Sequence, residues 1–503
     1  MNSAVQKPHI GGAFFFLTAV LVIYLLVSNR SGWGTGFSWH DEQRWAQLWL
    51  FAGALAVVAW LVPSQVSRWY WRGFGLILLC VGLAPYPGWA LAEVAVFCGV
   101  AATAWAVARL RRYDPARFDQ GASWIVLLMC LSYLWGFGLV YSLQLGYGEA
   151  LEMRDLFSGY ANRRFFSQTQ ALTLPLLVLP LMNREFPRAM RGVTLVTAMA
   201  WWSLAFVVGT RAVWMTLLGV AVWSWCRWGS VGRQWVRWQG IVAAGGGGLF
   251  WAVFVKLPES LGIPLLTDNG RLATVSSATD SSGRFDLWRD SFHLIGQHPW
   301  AGIGPMHFAE APGFSAAHPH DLPLQLAVEW GLPLTVVGIA LVVAGMRRLF
   351  PTPAMAVTDD PVRVCLSAAL LTAVGVSLFD GLPVMPYSQV LLAGVIGWAW
   401  GVADSGSRGT AVSNTCPRLW WRCVWSGGAL LLAFFLVWLA QQGAPRLAAH
   451  DEAYMAKYPG QPFKPRFWQQ GIIGFSWDDR YPAPWFKKAP SHQAPTAKVG
   501  NPD

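Results

Sequence analysis

The residues best able to do chemistry are concentrated between Gly283 and Gly331, in the stretch GRFDLWRDSFHLIGQHPWAGIGPMHFAEAPGFSAAHPHDLPLQLAVEWG. His318 and His320 flank Pro319 just ahead of an apolar run. Histidine, with a pKa near 6.5, takes a proton from a hydroxyl at neutral pH, so either residue suits general-base work. A histidine at such a boundary also often serves only local packing. Asp321 follows directly. Glu329 falls about one and a half turns inside the next helix, where an acid is expensive. It must pair with an arginine or close a polar network. Further on, Asp380 in LFDGLPVMP ends another apolar run, where it either caps the turn of Gly381 and Pro383 or joins the reacting groups.

Four arginines complete the set. Arg211 in GTRAVWM joins two apolar runs, Arg163 and Arg164 lie in FSGYANRRFFSQTQ, and Arg284 opens RFDLW. A guanidinium is a planar fork that matches phosphate oxygens bidentately, so the four together suit a pyrophosphate. The alternative for Arg211 is a helix-end side chain that snorkels to the interface. His293, His298, His307, His318 and His320 are numerous enough to leave a metal set open, although no HExxH pair supports one. The seven cysteines form no CxxC pair and avoid the long loop. Neither a Walker loop nor a dinucleotide fingerprint is present, which removes ATP-driven and nicotinamide chemistry.

The elements that position these groups must cross a membrane. The chain has 503 residues, of which 54% are hydrophobic and 13% charged, against roughly 25% charged in soluble chains. Its 32 tryptophans suit residues that settle at membrane interfaces. Apolar runs predict about 12–13 spans, centred on 11–28, 45–62, 72–86, 89–108, 123–143, 165–182, 191–208, 211–226, 238–255, 324–345, 363–379, 384–402 and 424–440. A loop helix is predicted over 285–296, where Phe285, Trp288, Phe292 and Leu294 recur near helical spacing.

Arginine clusters fall in alternate loops, at Arg68/Arg72, Arg109–Arg117, Arg184–Arg191, Arg227–Arg237, Arg347–Arg363 and Arg408–Arg422. Positive charge stays cytoplasmic, so the N-terminus is expected inside and the 256–323 loop and the tail outside. Arg30, Arg44, Arg154, Arg163, Arg164 and Arg211 depart from that pattern. The net charge of +11 is thus mostly topological, and its scatter over many loops speaks against nucleic-acid binding. The chain divides into a transmembrane domain, 1–440, containing the large 256–323 loop, and a polar, aromatic tail, 441–503, expected to pack on the outer face and fray after Pro490.

The segments GTRAVWM, SGRFDLW, QHPWAGIGPMHF, HPHDLPLQLAVEWG and FDGLPVMP, in this order, resemble the bacterial O-antigen ligase superfamily over roughly 155–403. That superfamily comprises lipopolysaccharide O-antigen ligases, O-antigen polymerases and pilin O-oligosaccharyltransferases. The resemblance implies a GT-C-like helical fold and a multi-pass protein of the bacterial inner membrane with a periplasmic active face. It implies a glycan donor on undecaprenyl pyrophosphate and transfer without metal or other cofactor. Arg211 and Arg284 match the arginines thought to hold the pyrophosphate; His320, Glu329 and Gly331 match the following motif; Asp380 matches an acidic position in part of the family. The family's usual His-Asn is His320-Asp321 here. An ionised Asp321 cannot donate as asparagine does; it either orients His320 or weakens anion binding.

The expected reaction is attack of an acceptor hydroxyl, on pilin or on lipid A–core, at the anomeric carbon of the lipid-linked sugar, with His318 and Asp321 on the acceptor side. Membrane lipids would surround the helices. A polysaccharide polymerase is the nearest alternative. A flippase or exporter predicts charges along a path through the spans and repeat symmetry, and neither is visible. A purely structural membrane protein gives no reason for arginines and histidines gathered at one membrane edge.

Overall fold

A computed structural model describes residues 7–30, 33–61, 68–148, 151–263, 284–310, 316–350, 361–405, 419–457, 459–460, 462–471 and 473. Among these the regular structure is helical, with no strand, and the chain is an all-α polytopic membrane protein. The main helices are α1 (Lys7–Val27), α2 (Trp39–Trp60), α3 (Arg68–Leu83), α4 (Pro87–Tyr113) and α5 (Pro115–Tyr147). They continue as α6 (Arg163–Leu177), α7 (Arg188–Val208), α8 (Arg211–Arg227), α9 (Gly229–Phe250) and α10 (Arg284–Gln297). The last are α11 (Leu322–Leu349), α12 (Pro361–Ser377), α13 (Pro386–Ser405), α14 (Leu419–Gly443) and α15 (Leu447–Lys457).

Each expected span coincides with one of these helices, and the predicted loop helix is α10. Seven helices among the described residues are long and apolar enough to cross a membrane by length and composition. The short turn expected near 208–211 has a local cause. Gly209 adopts φ 64°, the left-handed conformation that ends α7, and its N–H caps Ala205 O. Arg211 therefore starts α8 at a helix N-terminus, where the dipole favours anions.

Helix α6 is the polar axis of the bundle, with Ser167, Gln168, Thr169, Gln170 and Thr173 all buried. Neighbours answer its polar groups: Gln170 Nε2 donates to Trp201 O at 2.9 Å, and Trp201 Nε1 donates to Thr173 Oγ1 at 2.9 Å. Pro175 interrupts the helix, and Trp235 Nε1 donates to the Pro175 carbonyl at 3.1 Å. Around this axis α4 packs on α13, α2 on α14, and α7 on α9.

The two ends of the bundle differ in chemistry. At one end Arg111 pairs with Asp119 at 3.0 Å and donates to Gly401 O, Arg112 pairs with Asp404, and Arg363 donates to Leu349 O at 2.9 Å. Arg111, Arg112 and Arg363, from two of the arginine-rich loops, thus meet at one end. At the other end Arg30 donates to Leu156 O at 3.0 Å, and Arg44 donates to Val384 O at 2.9 Å. These exceptions to the charge alternation are held by backbone carbonyls.

A candidate active site at the loop end

The 299–331 segment folds around a break in α11. Gly331 has φ 77° and ψ 165°, which is not helical, and Pro333 follows. The break leaves backbone groups to be satisfied elsewhere. Ile303 N donates to Val328 O at 2.8 Å, Gly304 N to Glu329 O at 3.1 Å, and Leu332 N to Pro299 O at 2.8 Å. Gly302, at φ 68°, lies so close that a Cβ would stand 2.5 Å from the Glu329 carbonyl carbon. The AGIGP and EWGLP motifs are therefore two halves of one backbone clasp. Leu287, Phe308 and Val328 form a small core that seats α10 on it. Trp288 Nε1 donates to Pro319 O at 3.1 Å, tying α10 to the His-Pro-His segment.

His320 adopts φ 58°, a left-handed conformation uncommon for a residue with a side chain and frequent at functional sites. Its backbone N–H donates to His318 Nδ1 at 3.2 Å, and the two rings stand 4.3 Å apart, edge to face. Burial, then the neighbouring His320 and Arg466, hold the His318 imidazole well below its usual pKa, so it is a neutral acceptor. His320 Nδ1 faces Asp380 Oδ1 at 3.7 Å and has no hydrogen-bond partner in the protein. Asp380 is buried at the turn before α13. Burial works to raise its pKa, but His320, the Gly381 N–H at 2.7 Å and Gln168 prevail and hold it low. Asp321 is the N-cap of α11, its Oδ1 accepting from Leu324 N at 2.8 Å. Burial raises its pKa, and the Leu324 bond lowers it by less.

The arginines approach the same place from three elements. Burial lowers the Arg284 pKa; Arg164 lowers it further, Asp380 raises it and Arg211 lowers it. The charges of Arg164 at the start of α6, Arg211 at the start of α8 and Asp380 before α13 thus all reach Arg284 on α10. Arg163 adjoins Arg164 in the first turn of α6. Arg284 Nε, His320 Nδ1 and Gln168 Nε2 are buried nitrogens without a well-formed partner, and Asp380 is the carboxylate that Gln168 approaches. A buried, unsatisfied polar atom costs about 1–3 kcal/mol. Three of them around one carboxylate mark a place built for a polar ligand. Gln168, anchored by Ser388 Oγ at 2.8 Å, is a member that sequence reasoning missed.

Glu329 stands apart from this cluster. It is fully buried, with Oε1 accepting from Phe308 N at 3.2 Å and Oε2 from Arg466 at 2.7 Å. The arginine it was expected to need comes from the tail. Arg466 also bonds Glu93 of α4 at 2.7 Å. The only sequence signal was two acids, Glu93 and Glu329, inside apolar spans with no cation nearby in the chain. His307 is likewise committed: its Nε2 accepts from Tyr86 N at 2.9 Å and its Nδ1 donates to Pro305 O at 2.8 Å. Among the described residues no three His, Cys, Asp or Glu side chains converge as a metal set.

Residues 194–339 match the family model described as O-antigen ligase. The similarity to that family spans 146 of the 503 residues. No curated protein matches the chain. The O-antigen ligase segment includes Arg211, Arg284, His318, His320, Asp321 and Glu329, while Asp380, Gln168, Arg163 and Arg164 reach the site from outside it. The family so matched is one of glycan transfer of the ligase or polymerase type, with a lipid-linked glycan as partner.

Proposed function

We propose that this protein transfers a glycan from undecaprenyl pyrophosphate to an acceptor hydroxyl, on pilin or on lipid A–core, at the periplasmic face of the bacterial inner membrane. The observation that carries the reading is that the charges of Arg164, Arg211 and Asp380 all reach Arg284, with His320 Nδ1 3.7 Å from Asp380. Three guanidinium groups, each in the first turn of its helix, suit the pyrophosphate. Arg163 stands as a fourth donor.

The acceptor oxygen attacks the anomeric carbon as the bond from that carbon to the pyrophosphate oxygen breaks, and the electron pair leaves on pyrophosphate. Fixed guanidinium groups stabilise that developing charge, and preorganised stabilisation of this kind is usually the largest source of rate enhancement. Asp380, held ionised, favours the His320 tautomer with its proton on Nδ1, which leaves Nε2 to accept the hydroxyl proton. Pyrophosphate on a prenyl chain is already a good leaving group, so the chemistry needs no metal, and transfer is expected to persist in excess EDTA.

The test compares periplasmic glycoconjugates, both the lipopolysaccharide ladder and pilin mass, in a deletion strain complemented with variants. Arg211→Ala and Arg284→Ala should each abolish transfer while the protein stays inserted. The lysine replacements should rescue only in part, because a point charge does not reproduce the fork. Full transfer by both alanine variants would place the donor elsewhere.

A further inference from the structure

Part of the chain after α15, residues 464–471, packs into the interior. Phe467 O accepts from Arg44 Nε at 3.0 Å, Arg466 O accepts from Arg44 Nη2 at 3.0 Å, and Gln469 N donates to Asp41 at 2.7 Å. The Phe467 ring lies beneath the Arg44 guanidinium at 5.1 Å and against Trp89 at 5.4 Å. Ile473 N reaches Ala309 O at 3.4 Å. Arg466 itself is 1% exposed. Its guanidinium bridges Glu93 and Glu329, and Gln325, with its amide oxygen turned inward, accepts from Arg466 Nη1 and Nη2 at 2.6 and 2.9 Å.

These contacts reach both sides of the candidate site. Gln325 and Glu329 are on the first turns of α11, directly after His320 and Asp321, and Glu329 also holds Phe308, on which α10 rests. Arg44 ties residues 466 and 467 to Val384, in the turn after Asp380, and to Gln389 at the start of α13. Arg44, Glu93, Gln389 and Arg466 line one small cavity, and Arg466 pairs with Glu329 as well as with Glu93. Removing one partner of a buried pair leaves an uncompensated charge, which is far more disruptive than removing the whole pair.

We infer that Arg466 is a positioning residue for the transfer reaction: by bridging Glu93 and Glu329, it locks the clasp that holds His320 and α10 in register with Asp380. It touches neither donor nor acceptor. The inference rests on the transfer reading for its kinetic consequence, but its structural consequence stands alone.

The experiment measures amide hydrogen exchange of the full-length protein in detergent together with transfer kinetics. In Arg466→Met, exchange over 299–310, which includes the amides of Ile303, Gly304 and Phe308, should accelerate at least tenfold. The turnover number should fall at least tenfold, while KM for donor changes less than threefold. Adding Glu93→Gln, which restores charge balance, should recover most of both losses. Arg466→Lys keeps the charge without the fork and should lie between. Unchanged exchange in Arg466→Met overturns the inference, as does failure of Glu93→Gln to recover either loss. Should Arg466→Met not fold, Arg466→Lys decides, and wild-type exchange and turnover there overturn the bridging role. If the unaltered protein transfers no glycan, the transfer reading fails, and the exchange data still judge Arg466.

Discussion

His320 combines a left-handed backbone, a buried ring nitrogen without a partner and a low-pKa carboxylate 3.7 Å away. Its replacement by alanine should remove nearly all turnover, since general-base catalysis is worth about 10²–10⁴-fold. His318→Ala deletes the acceptor for the His320 N–H, a bond worth about 1 kcal/mol, so the loss should be clearly smaller. Assays of glycan transfer by the two purified variants check the order, and equal activities would remove His320 from proton transfer. Asp321→Asn keeps the oxygen that caps α11 and should be close to unaltered in both melting temperature and rate, whereas Asp321→Ala should lose about 0.5–2 kcal/mol of stability. The family's asparagine and this aspartate can both accept at that cap. A short polar residue directly before an apolar helix is a cap signal readable from sequence, whereas the left-handed turn at His320 is not, because any residue with a side chain disfavours it. His307 supplies a pH test. Burial lowers its pKa from 6.5 to about 4, so the unfolded chain takes up a proton that the folded one refuses between those values. Stability should therefore fall as pH drops from about 6.5 towards 4. Melting curves should show a shallower fall in His307→Gln, whose side chain does not titrate.

At the scale of elements, the broken α11 and the 299–304 loop function as one unit. Gly331→Ala forces a side chain into φ 77° against the Trp300 backbone. Strain of this type is worth about 1–3 kcal/mol, and the variant should lower the melting temperature and the transfer rate together. A wild-type melt would show that the clasp tolerates the change. The helices were legible because hydropathy and length report spans directly, and α10 because its apolar residues recur at helical spacing. The pairing of Ile303 with Val328, and of Gly304 with Glu329, was not. Glycines at 302 and 331 announce a special backbone without naming the partner that needs it. The same holds for Gln168, one of two buried glutamines on α6, which only the packing of α6 brings to Asp380.

For the molecule as a whole, Arg111, Arg112 and Arg363 gather at one end, and the loop helix, Asp380 and residues 464–471 gather at the other. A reporter fused after Pro490 should be active only in the periplasm, as the alternation of charge requires; cytoplasmic activity would invert the proposed orientation. The tail's route into the bundle was beyond sequence reasoning. Arg466 is an ordinary residue in a polar, aromatic stretch until Glu93 and Glu329 are placed on either side of it.

That route has a consequence for biogenesis. Arg466 is made 373 residues after Glu93. At about 5–20 residues per second, Glu93 waits on the order of 20–75 s for its cation while the intervening helices are already being inserted. Glu329 waits for the last 137 of those residues. Over that interval the half-assembled bundle carries first one and then two acids without their cation, which favours water over close packing. In the proposed orientation the protein reaches its final form only when a late segment has crossed the bilayer and entered from the far side. Quality control that surveys polar groups within the membrane has a defined signal to read: a nascent chain stalled before Arg466 presents Glu93 and Glu329 without the charge that silences them.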